Sequence, residues 1–211
     1  MIRVAVADDQ PLFCSGLRML IDSQPDLDFV GAAVDGVEAV SVARFERPDV
    51  MLMDIRMPIM DGIAATRAIR SELEPDSVRI IVLTTFDRDE AVAAALRAGA
   101  DGFLLKDATV EFILASIRAV HVGHAVVAPK MASDLLWTLP RRNLDAIQAL
   151  SVREKDVFLL AARGLSNEDI GSTAFIAEAT VKSHIRSILS KLHLASRVQL
   201  VAFAYENGLV R

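Results

Sequence analysis

Five side chains stand out because each closes a short apolar run. Asp8 and Asp9 follow IRVAVA (2–7), Asp54 follows VMLM (50–53), Thr84 ends RIIVLT (79–84) and Lys106 follows GFLL (102–105). A carboxylate against a protein interior is costly unless something balances it or chemistry requires it there. Three carboxylates brought close repel one another and take up protons unless a cation neutralises them. An all-oxygen cluster of this kind suits Mg²⁺, which keeps several waters and accepts one or two carboxylates plus a phosphate oxygen. The lysine and the hydroxyl then call for a phosphoryl group: the ammonium offsets charge on one oxygen and the threonine hydroxyl donates to another. Carboxylates can accept a phosphoryl group covalently, and Asp54, in the central run, is the best placed to be that nucleophile. Singly, each residue has a plainer reading as a helix cap, a strand end or a solvated charge. Their shared position at the ends of the runs sets them apart.

These residues need a frame to hold them together. The first 122 residues alternate between apolar runs, with FVGAAV (29–34) as the second of five, and segments of helical spacing. Near-continuous apolar strands joined by helices indicate a parallel sheet covered on both faces. Five βα units are too few for an eight-fold barrel, so the reading is α/β, an open doubly wound five-stranded sheet. In such a sheet ligands sit beyond the carboxyl ends of the strands where the strand order reverses. The order 2-1-3-4-5 places the first and third runs side by side, so the three carboxylates, Thr84 and Lys106 converge.

Residues 123–147 form a connector with Gly123, Pro129, Pro140 and the basic pair Arg141–Arg142; within it KMASDLLWTL (130–139) has the pattern of a short helix, and Trp137 is expected to pack against a domain. From residue 148 strand texture gives way to a small all-α module. Four helical stretches are drawn at about 151–162, 166–173, 178–192 and 196–206. The chain therefore divides into 1–122, a linker 123–147, and 148–211.

The net charge of −5 over 211 residues conceals an asymmetry. Residues 1–122 carry 12 Lys and Arg against 20 Asp and Glu, a balance of −8; residues 123–211 carry 11 against 8, a balance of +3. The acidic part suits cations and the basic part polyanions. Cys14 is the single cysteine, which excludes an internal disulfide framework and a Cys-rich zinc site. There is no leader-like N-terminus and no apolar run of bilayer length, so a cytoplasmic location with no membrane association is expected.

In the basic module, EATVKSHIRSILSKL (178–192) laid out at 100° per residue puts Val181, Ile185, Ile188, Leu189 and Leu192 on one face. Lys182, Ser183, Arg186, Ser187, Ser190 and Lys191 fall on the other. A cationic face with small hydroxyls suits the DNA major groove, where Lys and Arg reach phosphates or guanine edges and Ser or Thr bond either. The preceding LSNEDIGSTAFIAEA supplies Ser166 as an N-cap with Asp169 three residues on, and then a turn. Helix, turn and basic helix in this order form a DNA-binding arrangement.

The blocks VADDQ, LMDIRMPIMDG, VLTTF and GFLLKD resemble the signatures of two-component receiver domains, with Thr84 30 and Lys106 52 residues after Asp54. LSVREKDVFLLAARGLSNEDI with TVKSHIRSILSKLHLASRVQLVAFAYENGL resembles a LuxR-type helix-turn-helix. Together they are similar to the NarL/FixJ response regulators over nearly everything except the linker. The resemblance implies that a sensor histidine kinase phosphorylates Asp54, with Thr84 and Lys106 assisting. It implies Mg²⁺ bound by Asp9 and Asp54, by Asp8 through water and by the carbonyl of Arg56, and a switch through Thr84 and Phe103. It implies a transcription regulator rather than an enzyme, which binds double-stranded DNA as a homodimer when active. The DNA-binding candidates are Thr180, Lys182, Ser183, Arg186, Ser187 and Lys191. The dimerisation candidates are Val198, Val201, Ala202 and Tyr205, on a last helix that is apolar around most of its circumference.

Some positions depart from the family pattern. Asp107 replaces the proline that often follows the lysine and is expected to help cap the next helix. Gly171 stands inside a helix where Ala is frequent, at a cost of about 1 kcal/mol. Ala174 replaces a larger aliphatic, and Ala177 replaces the usual capping Ser, a loss of about 1 kcal/mol. Rival readings fare worse. An aspartate-based phosphohydrolase wants a second acid two residues after its nucleophile, where this chain has Arg56. A flavin carrier needs a Gly/Ser/Thr-rich phosphate loop where this chain has DDQPLF. A regulator of the same architecture that works without phosphorylation stays open.

Overall fold

The structure, a computed structural model, describes residues 1–210 except 75–76, 86–88 and 128–143, with backbone alone for residues 89–92, 127, 144–146 and 206. The helical pattern at 130–139, Trp137 and the pair Arg141–Arg142 fall outside the described residues.

Strands β1 (Ile2–Ala7), β2 (Leu27–Ala33), β3 (Val50–Asp54), β4 (Arg79–Thr84) and β5 (Gly102–Leu105) alternate with helices α1 (Pro11–Asp22), α2 (Gly36–Glu46), α3 (Gly62–Glu72), α4 (Asp89–Ala98) and α5 (Val110–His121). All five strands are parallel in the order 2-1-3-4-5. A two-residue strand β6 (Val126–Val127) adds to β5 at the edge, inside the stretch read from sequence as linker. Two residues have too little texture to be read as a strand.

The inner strands β3 and β4 are almost wholly apolar and buried because the sheet is covered on both faces there, whereas β2 at the edge carries the exposed Asp28. Residues of alternating parity feed separate cores. Ala5, Met51, Met53, Ile80, Val82 and Phe103 pack with α2, α3 and α4. Val4, Val6, Val50, Leu52, Ile81, Leu83 and Leu104 pack with α1 and α5. Local signals start the helices: Asp35 caps α2, Asp61 caps α3 by accepting from Ala64 N at 2.7 Å, and Thr109 caps α5. Asp107, expected to help at that last end, is exposed: the helix begins three residues later, at Val110, and Thr109 supplies the cap.

A 3₁₀ turn (Leu144–Ala149) leads into α6 (Val152–Ala162), α7 (Asn167–Ala174), α8 (Glu178–Lys191) and α9 (Arg197–Glu206). Ser151 with Glu154 and Ser166 with Asp169 form complete capping boxes. The core of this module gathers Val157, Phe158, Ile170, Val181, Ile188 and Phe203, with Phe158 and Phe203 edge to face at 6.2 Å. Gly171 has a reason that helix propensity conceals. A Cβ there would lie 2.8 Å from the carbonyl oxygen of Ile176, so the turn between α7 and α8 closes tightly only over glycine.

The two halves pack on each other. Val198 and Ala202 of α9 belong to the same buried cluster as Ala95, Leu96 and Phe103, and the Gln199 side-chain amide donates to the carbonyl of Leu96 on α4. Arg186 of α8 pairs with Glu74 at 3.1 Å, and a ring nitrogen of His124 lies 2.8 Å from the carbonyl oxygen of Gly164.

Candidate functional site

The site lies at the carboxyl ends of β1, β3, β4 and β5. Register places it there: Ala7 pairs with Met53, Asp54 with Leu83 and Thr84 with Leu105. The residues at or just past these ends therefore reach one rim. Carboxylate oxygens of Asp8, Asp9 and Asp54 lie within 4.8 Å of one another. Asp8 and Asp54 are buried and Asp9 is exposed, so the cluster has a wet side through which a ligand can enter.

Lys106 reaches back over this cluster, with Nζ 2.6 Å from Asp8 Oδ2 and 3.0 Å from Asp54 Oδ2. Its ammonium also lies 5.0 Å from the centre of the Phe13 ring, a cation–π contact. Asp8 is held by Gln10, whose N–H donates to its Oδ1 at 3.0 Å. Burial pushes the Asp54 carboxyl above its ordinary range, and the Lys106 ammonium and the Arg56 backbone N–H pull it back in part. For Lys106, burial works against the charge, but the bonds to Asp8 and Asp54 outweigh it and its pKa rises. A lysine tied to two carboxylates at once is poised to follow charge that arrives on either.

The loop after Asp54 is shaped by close approach. A Cβ on Gly62 would fall 1.9 Å from the carbonyl oxygen of Asp54, so only glycine lets α3 begin there. Thr84 is buried at the end of β4, and its carbonyl accepts the N–H of Lys106 at 2.8 Å. Phe103 is fully buried in the cluster that also holds Val198 and Ala202. The all-oxygen donor set of Asp8, Asp9 and Asp54 fits a hard divalent cation such as Mg²⁺.

On α8, Val181, Ile185, Ile188 and Leu189 are buried, while Thr180, Lys182, Ser183 and Arg186 are exposed. Lys182 pairs with Glu178 at 2.9 Å on the same helix. For Ser187 and Lys191 the structure gives internal partners instead. Ser187 Oγ donates to Glu154 Oε1 at 2.6 Å, and Lys191 Nζ lies 2.7 and 2.8 Å from the two oxygens of the same carboxylate. Glu154 is buried at 4% exposure and needs countercharge. The Lys191 ammonium, the Ser187 hydroxyl and the Ser151 N–H hold it down at about 2 from an ordinary 4.5. Glu154 thus anchors the basic helix to α6, a role the helical-wheel reading missed. The S-x-x-E spacing of Ser151 and Glu154 was the available signal.

The dimerisation candidates divide. Val198 and Ala202 are buried within the chain, Val201 is half-buried and Tyr205 is exposed. Among the described residues no helix is long and apolar enough to cross a membrane.

Comparison with known proteins agrees with this geometry. Residues 4–118 match the response regulator receiver domain, and residues 148–204 match the luxR family of bacterial regulatory proteins. The transcriptional regulatory proteins YxjL and LiaR of Bacillus subtilis are 41% and 40% identical over the whole chain, covering 98% and 100% of their own lengths. The crystal structure of ChrA, the response regulator of a heme-sensing two-component system, is 36% identical over 99% of this chain and 98% of its own, with a TM-score of 0.54. These relatives are regulators rather than enzymes; a receiver implies a histidine kinase partner and a LuxR-type module implies DNA. The chain belongs to the two-component response regulators of NarL type, transcription factors that join a receiver to a LuxR-type helix-turn-helix.

Proposed function

We propose that Asp54 is the phosphoacceptor and that its phosphorylation switches the hold of the receiver (1–122) on the DNA-binding module (148–211) across the linker 123–147. The observation that carries this reading is the convergence of three carboxylates within 4.8 Å under a lysine bonded to two of them. A carboxylate oxygen of Asp54 attacks the phosphorus of a phosphohistidine on a sensor kinase, or of a small phosphodonor. The bond from phosphorus to the donor breaks as the new P–O bond forms, and the departing imidazole takes up a proton. Asp9 and Asp54, the Arg56 carbonyl, and Asp8 through water would hold Mg²⁺, which supplies neutralisation of the phosphoryl oxygens when bound. Lys106 leaves the carboxylates for one phosphoryl oxygen and the Thr84 hydroxyl donates to another.

The consequence runs through Phe103. Its cluster also contains Val198 and Ala202, so a receiver that repacks around Phe103 loses the surface on which α9 sits. Release frees Lys182 and Arg186 for DNA, with Thr180 and Ser183 beside them, while Ser187 and Lys191 support the helix through Glu154. Val198, Val201, Ala202 and Tyr205 are then available to pair two modules, which sets recognition helices one turn of DNA apart, about 34 Å. Moving a 1% open population to near saturation needs phosphorylation to favour the open state by about 5.5 kcal/mol. Dimerisation on DNA contributes part of that. The protein acts in the cytoplasm, where kinase and chromosome meet.

Acetyl phosphate with Mg²⁺ should add one labile phosphoryl group, and mass spectrometry should locate it at Asp54. Asp54→Ala should stay unmodified. An adduct elsewhere, or none, removes the assignment.

A further inference from the structure

Phe175 sits in the turn between α7 and α8, two residues before Ala177, the N-cap of the recognition helix. Its backbone is left-handed, at φ 55° and ψ 47°, and its side chain is 94% exposed. Neither fact helps the fold. An L-residue other than Gly or Asn is disfavoured in this conformation, and a ring left in water stabilises nothing. Asn or Gly would suit the turn better. The ring also lies clear of the receiver, which meets α8 further along at Lys182, Ile185, Arg186 and Leu189.

The position itself names what the ring can touch. In a helix-turn-helix the first helix crosses the phosphate backbone, and the N-terminal residues of the second reach base edges. The turn joining them lies between backbone and groove. On one side of Phe175 the surface carries Arg153 and Arg163 with Asp156; on the other it carries Glu168 and Glu178. The arginine side suits a phosphate strand, and the ring supplies an apolar contact of the kind that reads a thymine methyl.

We propose that Phe175 is a DNA-contacting residue whose ring packs on the apolar edge of the operator, a thymine C5-methyl group or a deoxyribose, beside the N-terminus of α8. The proposal rests on the DNA-binding reading above and adds a residue with no charge and no hydrogen bond to give. It therefore has a signature that the basic residues lack. Removing a cation from the interface lowers the salt dependence of binding, whereas removing an apolar contact lowers affinity and leaves the salt slope alone.

The test uses the full chain treated with acetyl phosphate and a duplex selected by the wild-type protein from a random-sequence pool. Phe175→Asn keeps the turn, Phe175→Tyr keeps the ring, and a duplex with deoxyuridine for thymine removes the methyl groups. Phe175→Asn is expected to bind about five- to ten-fold more weakly at every salt concentration, with a melting temperature equal to or above that of wild type because Asn suits the left-handed turn, and Phe175→Tyr to bind like wild type. If the methyl is the partner, deoxyuridine lowers wild-type affinity by a similar factor and leaves Phe175→Asn unaffected; if the sugar is the partner, it affects neither. Wild-type affinity in Phe175→Asn overturns the proposal. So does a loss that comes with a lower melting temperature or a flatter salt slope. Lys182→Ala and Arg186→Ala in the same assay test the DNA-binding reading itself, so a failure there is distinguishable from a failure here.

Discussion

Glu74→Lys isolates the closed arrangement without touching a buried side chain. Glu74 lies just beyond α3 and pairs with Arg186 at 3.1 Å, with 68% and 52% of the two side chains exposed. An ion pair that wet is worth about 0.5 kcal/mol. Placing an ammonium opposite the guanidinium costs a similar amount, so reversal should weaken closure by about 1 kcal/mol, a factor of about five. For a receiver-held module that is open about 1% of the time, the variant is open about 5% of the time, and its apparent dissociation constant for DNA falls about five-fold. Fluorescence anisotropy of the unphosphorylated chain on its selected duplex reads this directly. After phosphorylation wild type and variant should bind alike, because the pair exists only in the closed form, and at high salt the difference should shrink. An equal gain in both states would mean that the new lysine simply attracts DNA. No gain in either would mean that the Arg186 contact does not restrain the recognition helix. Either result refutes the reasoning.

Other outcomes follow from the same contacts. The Glu154 carboxyl is held at about 2 against an ordinary 4.5, so its stabilisation of the C-terminal module is complete above about pH 4.5 and drains away as pH falls toward 2. Glu154→Gln should flatten the acid limb of the stability profile measured by urea unfolding. Gly171→Ala gains about 1 kcal/mol in helix propensity but sets a Cβ 2.8 Å from the Ile176 carbonyl oxygen; calorimetry should show a net loss, and a net gain would contradict the tight turn. In the phosphorylated chain, where the Glu74 pair no longer restrains the helix, Lys182→Ala and Arg186→Ala should each lower operator affinity and reduce the slope of log affinity against log salt by about one; unchanged binding in both would remove them from the interface.

What sequence conveys here depends on whether a residue's role is local or set by a distant neighbour. Asp8, Asp9, Asp54, Thr84 and Lys106 could be placed because each ends a run, and a parallel sheet sends run ends to one rim. The capping pair Ser166 and Asp169 acts within three residues and is local by nature. Ser187 and Lys191 were sorted to the outer face of their helix, but a helical wheel has no term for Glu154, which approaches from another element. Val198 and Ala202 were visible as apolar residues in excess of what one neighbour needs; the receiver core that covers them is about a hundred residues away along the chain. Gly171 reads as a defect by propensity and as a requirement once the carbonyl of Ile176 is in place.

The central claim is that charge on Asp54 loosens the packing of α9 on α4. Hydrogen exchange on the intact chain, with and without acetyl phosphate and Mg²⁺, tests it most directly. Exchange should quicken on both sides of that contact, around Ala95–Ala100 and Arg197–Ala202, in the wild-type chain and not in Asp54→Ala. Protection that is the same before and after modification of Asp54 would contradict it.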